Sequence, residues 1–148
     1  GHEWYTNFTP EEQHTMLTLW CLFGSPLMLG CELTKLDDAT LALLTNRDVL
    51  SMLTPDCKPH QVCLDDEKAI WCAYNAVTGE HFAAFFNLSD ETQTIHCDIE
   101  TLHVGDEPCA HKDASLTELW SKEKTSVSGS AISVTPPAHG CLVFRVEN

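Results

Sequence analysis

Basic residues are scarce in this chain: 8 Lys and Arg stand against 22 Asp and Glu in 148 residues, a formal net charge of -14. Binding a phosphate backbone depends on basic groups that displace counterions, so this field excludes nucleic acid and an anionic membrane surface as partners. A neutral ligand such as a sugar is not penalised. No apolar run approaches the ~20 residues a membrane span needs, so no membrane is expected as a partner. The start carries no basic stretch followed by an apolar one, so no secretory leader is legible. CxxC is absent too, which removes the zinc-ribbon half-site and the thioredoxin-type redox motif.

The cysteines themselves are not scarce. Cys21, Cys31, Cys57, Cys63, Cys72, Cys97, Cys109 and Cys141 are spread along the chain, several inside apolar runs (WCLF, IWCAY, GCLVF). A thiol there behaves as a small hydrophobe, so buried free thiols in a reducing, cytoplasmic setting are expected. Two sequons, Asn7-Phe8-Thr9 and Asn87-Leu88-Ser89, would permit glycosylation in a secreted protein. His96, Cys97, His103, Cys109 and His111 gather soft ligands in one stretch, but their spacing follows no zinc template. No metal and no cofactor is expected.

What the chain does have is two stretches of different period. Up to Pro59 it alternates helix and strand. Thr9-Pro10-Glu11-Glu12 is a helix start with a capping box and proline at the first position, followed by the apolar stripe Met16, Leu17, Leu19, Trp20 and Phe23. Gly24 ends it. Ser25-Pro26-Leu27-Met28-Leu29-Gly30 is apolar on both faces, the pattern of a strand in a parallel sheet covered on both sides. Asp37-Asp38 opens a second helix, with Leu41, Leu43, Leu44, Val49, Leu50 and Leu53 on its apolar side and a break near Asn46.

From His60 onward the pattern is β-rich. Ala69–Tyr74 and His81–Asn87 form a hairpin around Val77-Thr78-Gly79-Glu80. Thr92–Ile99 alternates, and 116–120, 131–134 and 141–146 read as further strands. Many short strands separated by turns predict an antiparallel sandwich. The expected fold is therefore an α/β fragment over residues 1–59, the last strand and helices of a (β/α)₈ barrel, followed by an all-β antiparallel sandwich over 60–148. A single helix–strand–helix unit cannot bury its own apolar surface, and nothing downstream supplies its neighbours.

The residues carry a family resemblance. FTPEEQ at 8–13, LWC at 19–21, SPLMLGCEL at 25–33 and LLTNRDVL at 43–50 resemble the closing barrel segment of the retaining, melibiase-type α-galactosidases and α-N-acetylgalactosaminidases. IWCA at 70–73, FAAFFNL at 82–88, ELW at 118–120 and PAHGCLVF at 137–144 are similar to the family's C-terminal sandwich. The resemblance implies a glycosidase that cleaves terminal α-linked galactose. Its two catalytic aspartates, a carboxyl pair ~5 Å apart, lie on earlier barrel strands that match nothing in this chain. On that basis no catalytic residue is expected here, and the chain alone is expected to act structurally.

Glu32, just after the SPLMLG run, is the candidate substrate-side residue, because barrel sites lie at the C-terminal ends of the strands. A rim or capping role is the plainer reading. Asp37 and Asp38 are adjacent and so cannot face each other across a substrate; they read as helix caps. Trp4, Trp71, Trp120, Tyr5 and Tyr74 could stack on sugars, with sandwich core the plainer reading for Trp71 and Trp120. Expected partners are carbohydrate through the parent enzyme, and either a second copy or the remaining barrel portion, since orphaned barrel elements expose apolar surface. A non-catalytic carbohydrate-binding or oligomerising module is the alternative.

Overall fold

A computed structural model describes residues 5–148. Helix α1 (Pro10–Leu22) starts as its sequence dictates: Thr9 Oγ1 accepts from the Glu12 amide at 3.2 Å and Glu12 reaches back to the Thr9 amide at 2.7 Å. Gly24 takes φ 64°, the left-handed conformation that turns the chain out of the helix. A 3₁₀ turn (Leu33–Lys35), helix α2 (Asp38–Leu44) and helix α3 (Arg47–Leu50) follow. The break near Asn46 is real and has a cause. Asn46 Oδ1 caps α3 by accepting from the Asp48 and Val49 amides at 3.1 and 3.2 Å, so the chain restarts rather than continues α2.

Ten strands follow: β1 (Cys57–Leu64), β2 (Lys68–Asn75), β3 (His81–Asn87), β4 (Ile95–Asp98), β5 (His103–Val104), β6 (Glu107–Pro108), β7 (Ser115–Glu118), β8 (Lys124–Ser126), β9 (Ala131–Val134) and β10 (Cys141–Glu147). Six form one sheet in the order β1-β2-β3-β10-β7-β8, while β4-β9 and β5-β6 form two small sheets. Every pairing is antiparallel.

The period of two sorts the large sheet into two faces. Ile70, Cys72, Ala83, Phe85, Leu116, Phe144 and Val146 face the small sheets, against Ile95, Cys97, Ile132 and Val134. Ala69, Ala73, Phe82, Ala84, Phe86 and Val143 face the helices, against Leu17, Cys21, Leu22, Leu43, Val49 and Met52. The three small alanines on this face let the helices approach closely. Both faces of β3 are thereby covered, and Phe82 through Asn87 are all buried.

One sequence expectation needs correction. No strand forms over residues 25–30; the segment has no regular secondary structure and takes part in no ladder among the described residues. A strand exists by its hydrogen-bonded neighbours, and this chain brings none beside it. Helical structure ends before Pro55, and Pro59 lies inside β1, an edge strand, where a missing N–H is tolerated. The sequence misses β1 because its mixed burial shows no alternation. The expected sandwich strands do form, and β4 shows the anticipated dry and wet faces.

Candidate functional site

The segment between α1 and α2 is held at both ends and open in the middle. Trp20 Nε1 donates to the Pro26 carbonyl at 3.0 Å, and the Phe23 ring meets Trp71 edge-on at 4.9 Å. Asp37 closes the other end by accepting from the Thr40 amide at 2.7 Å, and hydrogen bonds from Thr40 hold its carboxyl below the usual carboxylate range. Between these anchors the apolar side chains point to solvent: Met28 is 83% exposed and Leu33 62%, with Leu29 also open. Tyr5, Phe8, Met16, Phe23 and Leu41 are exposed as well. Burying one such Leu or Met side chain is worth about 1.5–3 kcal/mol, so leaving several of them in one segment in water marks an interaction face.

Glu32 lies within this open segment. It is exposed, precedes the 3₁₀ turn, and accepts from Thr34 Oγ1 at 2.6 Å. No hydrogen bond among the described residues couples it to a second carboxylate. Asp37 and Asp38 are the cap and first-turn residue of α2, in line with the capping reading.

Of the five aromatic candidates, Trp71, Trp120 and Tyr74 are engaged within the chain. Trp120 donates from Nε1 to Thr18 Oγ1 at 3.0 Å and lies 4.4 Å from the His14 ring; Tyr74 stacks on His81 at 4.7 Å. Trp71 and Trp120 are half-buried in the seam between helices and sheet. Tyr5 is exposed. Trp4 lies outside the described residues. The soft-ligand stretch is dispersed: His96 Nδ1 contacts Ser133 Oγ at 2.7 Å, the Cys97 thiol meets Thr101 Oγ1, and His103 Nδ1 meets the Gly105 carbonyl at 3.1 Å. Among the described residues no three His, Cys, Asp or Glu side chains converge as metal ligands.

Sequence reasoning missed a set of polar residues that lock the layers together. Asp48 pairs with Lys122 Nζ at 2.6 Å and with Arg145 at 3.1 Å, and Arg145 also meets Glu80 at 3.0 Å. The Lys122 hydrogen bond is the main reason the Asp48 carboxyl sits below its ordinary range. Buried Glu118 accepts from the Trp120, Ser121 and Val143 amides at 2.9, 2.6 and 3.2 Å. Buried Asn87 donates from Nδ2 to the Glu91, Pro136 and Pro137 carbonyls, so the Asn87-Leu88-Ser89 sequon is a structural joint with its amide engaged. Gly140 has a Pro137 carbon 2.6 Å from where a Cβ would sit, which leaves no room for a side chain. Asp48, Asn87, Glu118 and Gly140 fall within the motifs that carry the family resemblance, but nothing local in those motifs names their distant partners.

Residues 65–146 match the family model described as the alpha galactosidase C-terminal beta sandwich domain. The chain belongs to this family. It is the match expected of the C-terminal part of a melibiase-type glycosidase. An alpha-galactosidase A of Cellvibrio japonicus is 25% identical over 146 residues, covering 94% of this chain and 36% of that protein. The crystal structure of a GH27 β-L-arabinopyranosidase from Geobacillus stearothermophilus superposes with a TM-score of 0.87 at 30% identity, over 100% of this chain and 32% of that one. A putative α-N-acetylgalactosaminidase from Bacillus halodurans gives 0.86 at 28%, over 99% and 34%. The chain thus spans about a third of the length of these relatives. The likeness extends through the helical layer as well as the sandwich domain. No helix among the described residues is long and apolar enough to cross a membrane.

Proposed function

We propose that this chain is the C-terminal portion of a glycoside hydrolase that removes terminal α-linked galactose or a close stereochemical relative, and that it acts structurally. In this reading residues 1–59 are the terminal segment of a (β/α)₈ catalytic barrel and residues 60–148 are its C-terminal sandwich. The run at 25–30 is the strand that closes the barrel sheet, and its parallel neighbours belong to the rest of the enzyme. The single observation that carries this reading is the exposure of Met28, Leu29 and Leu33 on a segment that joins no ladder among the described residues. A two-faced apolar segment is stable in water only when a partner sheet covers it. The full-length likeness to GH27 structures some three times longer supports a partner of that kind.

The chemistry agrees. Retaining hydrolysis needs two carboxyl groups ~5 Å apart on either side of a sugar. Asp37 and Asp48 are occupied as a helix cap and as an ion-pair hub, and Glu118 is buried against three amides. Glu32 then lies at the barrel rim, close to the site only when the remainder is present. The aromatic pairings leave Trp71, Trp120 and Tyr74 engaged within the chain, which disfavours a sugar-stacking module.

The test is an assay of the chain on aryl α-galactoside, α-N-acetylgalactosaminide and β-L-arabinopyranoside substrates. The expected result is no turnover above background on any of them. Turnover abolished by a point substitution within these residues refutes the structural role.

A further inference from the structure

The β5-β6 hairpin lies beside the edge strand β1 and brings together two histidines that are far apart in sequence. The His60 ring on β1 and the His103 ring on β5 are stacked, with centres 5.5 Å apart and planes 27° apart. Both residues are exposed. Their placement is fixed from below. His60 stands opposite Cys72 in the β1-β2 ladder, so its side chain leaves the sheet on the same face as that buried thiol. The Cys72 thiol donates to the His103 carbonyl at 3.2 Å, and the Cys109 amide closes the hairpin base by donating to the Leu102 carbonyl at 2.7 Å. His103 Nδ1 lies 3.1 Å from the Gly105 carbonyl. A carbonyl only accepts, so Nδ1 carries the proton and the neutral ring has its lone pair on Nε2. The His60 ring makes no hydrogen bond among the described residues, which leaves its nitrogens free.

We propose that His60 and His103 form a two-imidazole chelate for a late first-row divalent cation (Ni²⁺, Cu²⁺ or Zn²⁺), which bridges the edge of the large sheet to the hairpin. Nitrogen–metal bonds of about 2.0–2.1 Å at a near-tetrahedral angle put two ring centres about 5 Å apart. The observed 5.5 Å therefore needs only a small turn of the exposed His60 ring. The hydrogen bond to Gly105 is the kind of outer contact that fixes the tautomer and orientation of a metal-bound histidine and raises the basicity of its ligating nitrogen. Imidazole suits these cations, whereas Mg²⁺ and Ca²⁺ take oxygen ligands. The net charge of -14 favours a cation over an anion at the surface. Among the described residues no third His, Cys, Asp or Glu joins the pair, so water fills the remaining positions and the site is open, unlike a closed structural centre. Of the soft-ligand stretch between His96 and His111 only His103 serves; His96 is engaged with Ser133.

The experiment titrates the reduced chain with Ni²⁺ alone, read by calorimetry, by paramagnetic broadening of the histidine ring signals in NMR spectra, and by thermal unfolding. The expected outcome is selective broadening of the His60 and His103 rings at the lowest Ni²⁺ concentrations. The unfolding midpoint should rise as Ni²⁺ is added and return when EDTA removes it. His60→Gln and His103→Gln should each weaken uptake by about tenfold or more, a loss that removing even an outer partner of a ligand can cause. His96→Gln should leave uptake unchanged. Before metal is added, the ring-nitrogen shifts of His103 should show the proton on Nδ1. No uptake by the folded chain, broadening that spares His60 and His103, or uptake that survives either Gln variant each overturns the proposal and leaves ring stacking alone. If a variant fails to fold, the broadening pattern of the unsubstituted chain decides the matter.

Discussion

Asp48, one residue into helix α3, and Arg145, in the middle of strand β10, are joined by an ion pair of 3.1 Å across 97 positions of sequence. The same carboxylate holds Lys122 at 2.6 Å, and the Arg145 guanidinium lies 6.0 Å from the Phe82 ring centre. Helical layer and sandwich are thus fastened by charge as well as by the apolar seam.

Asp48→Ala is expected to lower stability by about 1 kcal/mol, the modest end of ion-pair values, because the aspartate is partly open to solvent and screened. Denaturant titration of the two chains measures it. The acid response has a definite sign. The folded-state pKa of Asp48 is depressed, so its contribution is present above the ordinary carboxylate value and lost as pH falls through and below it. The variant should show a shallower stability loss in that range.

Asn87→Ala is expected to cost more, roughly 2–4 kcal/mol, because it strands several buried backbone groups at once. The amide accepts from the Ser89 amide, the Ser89 hydroxyl and Gln93, and donates to three carbonyls. Asn87→Asp should be comparably damaging, since a carboxylate cannot donate to those carbonyls. Thermal unfolding of both variants checks the prediction.

Mild acid should destabilise the fold through His14 and His81. Burial is the main cause that lowers both pKa values, against partial opposition from Glu11 at His14 and Glu107 at His81. A depressed histidine pKa means that the unfolded chain binds protons first. Stability is therefore full above about pH 6.5 and falls as pH drops below it. Replacing His14, packed on Trp120, by Gln should flatten the slope of stability between pH 7 and 5.

Met28→Ser with Leu33→Ser is expected to leave the unfolding midpoint nearly unchanged, within about 0.5 kcal/mol per site, because neither side chain is packed. The open apolar face predicts that the unsubstituted chain self-associates, and light scattering should read a lower mass for the double variant at the same concentration. Continued association of the double variant at the same concentration would point to another surface.

How much of this was legible depends on whether the deciding partner is local. The α1 capping box, the Asp37 cap and the break at Asn46 are local and were readable from Thr9-Glu12, Asp37 and LLTNRD. The hairpin of β2 and β3 was readable because its apolar period and the Val77–Glu80 turn lie together. Strand β1 was not, because its partner β2 supplies the ladder while its own side chains face both water and core. Residues 25–30 read as a strand because their composition suits one, but composition does not provide a neighbour. At the candidate site, Glu32 was placed by position alone. The Asp48–Arg145 and Asn87 joints join positions far apart, which no local pattern reveals.

Hydrogen–deuterium exchange at Leu27 to Cys31 tests the central claim most directly, measured on this chain alone and on a chimera joining it to the part of the Geobacillus arabinopyranosidase that it does not cover. Fast exchange in the chain alone, with β3 and β10 protected, and strong protection of the segment in the chimera is the predicted result. Protection of the segment in the chain by itself, or none in a folded chimera, would contradict it.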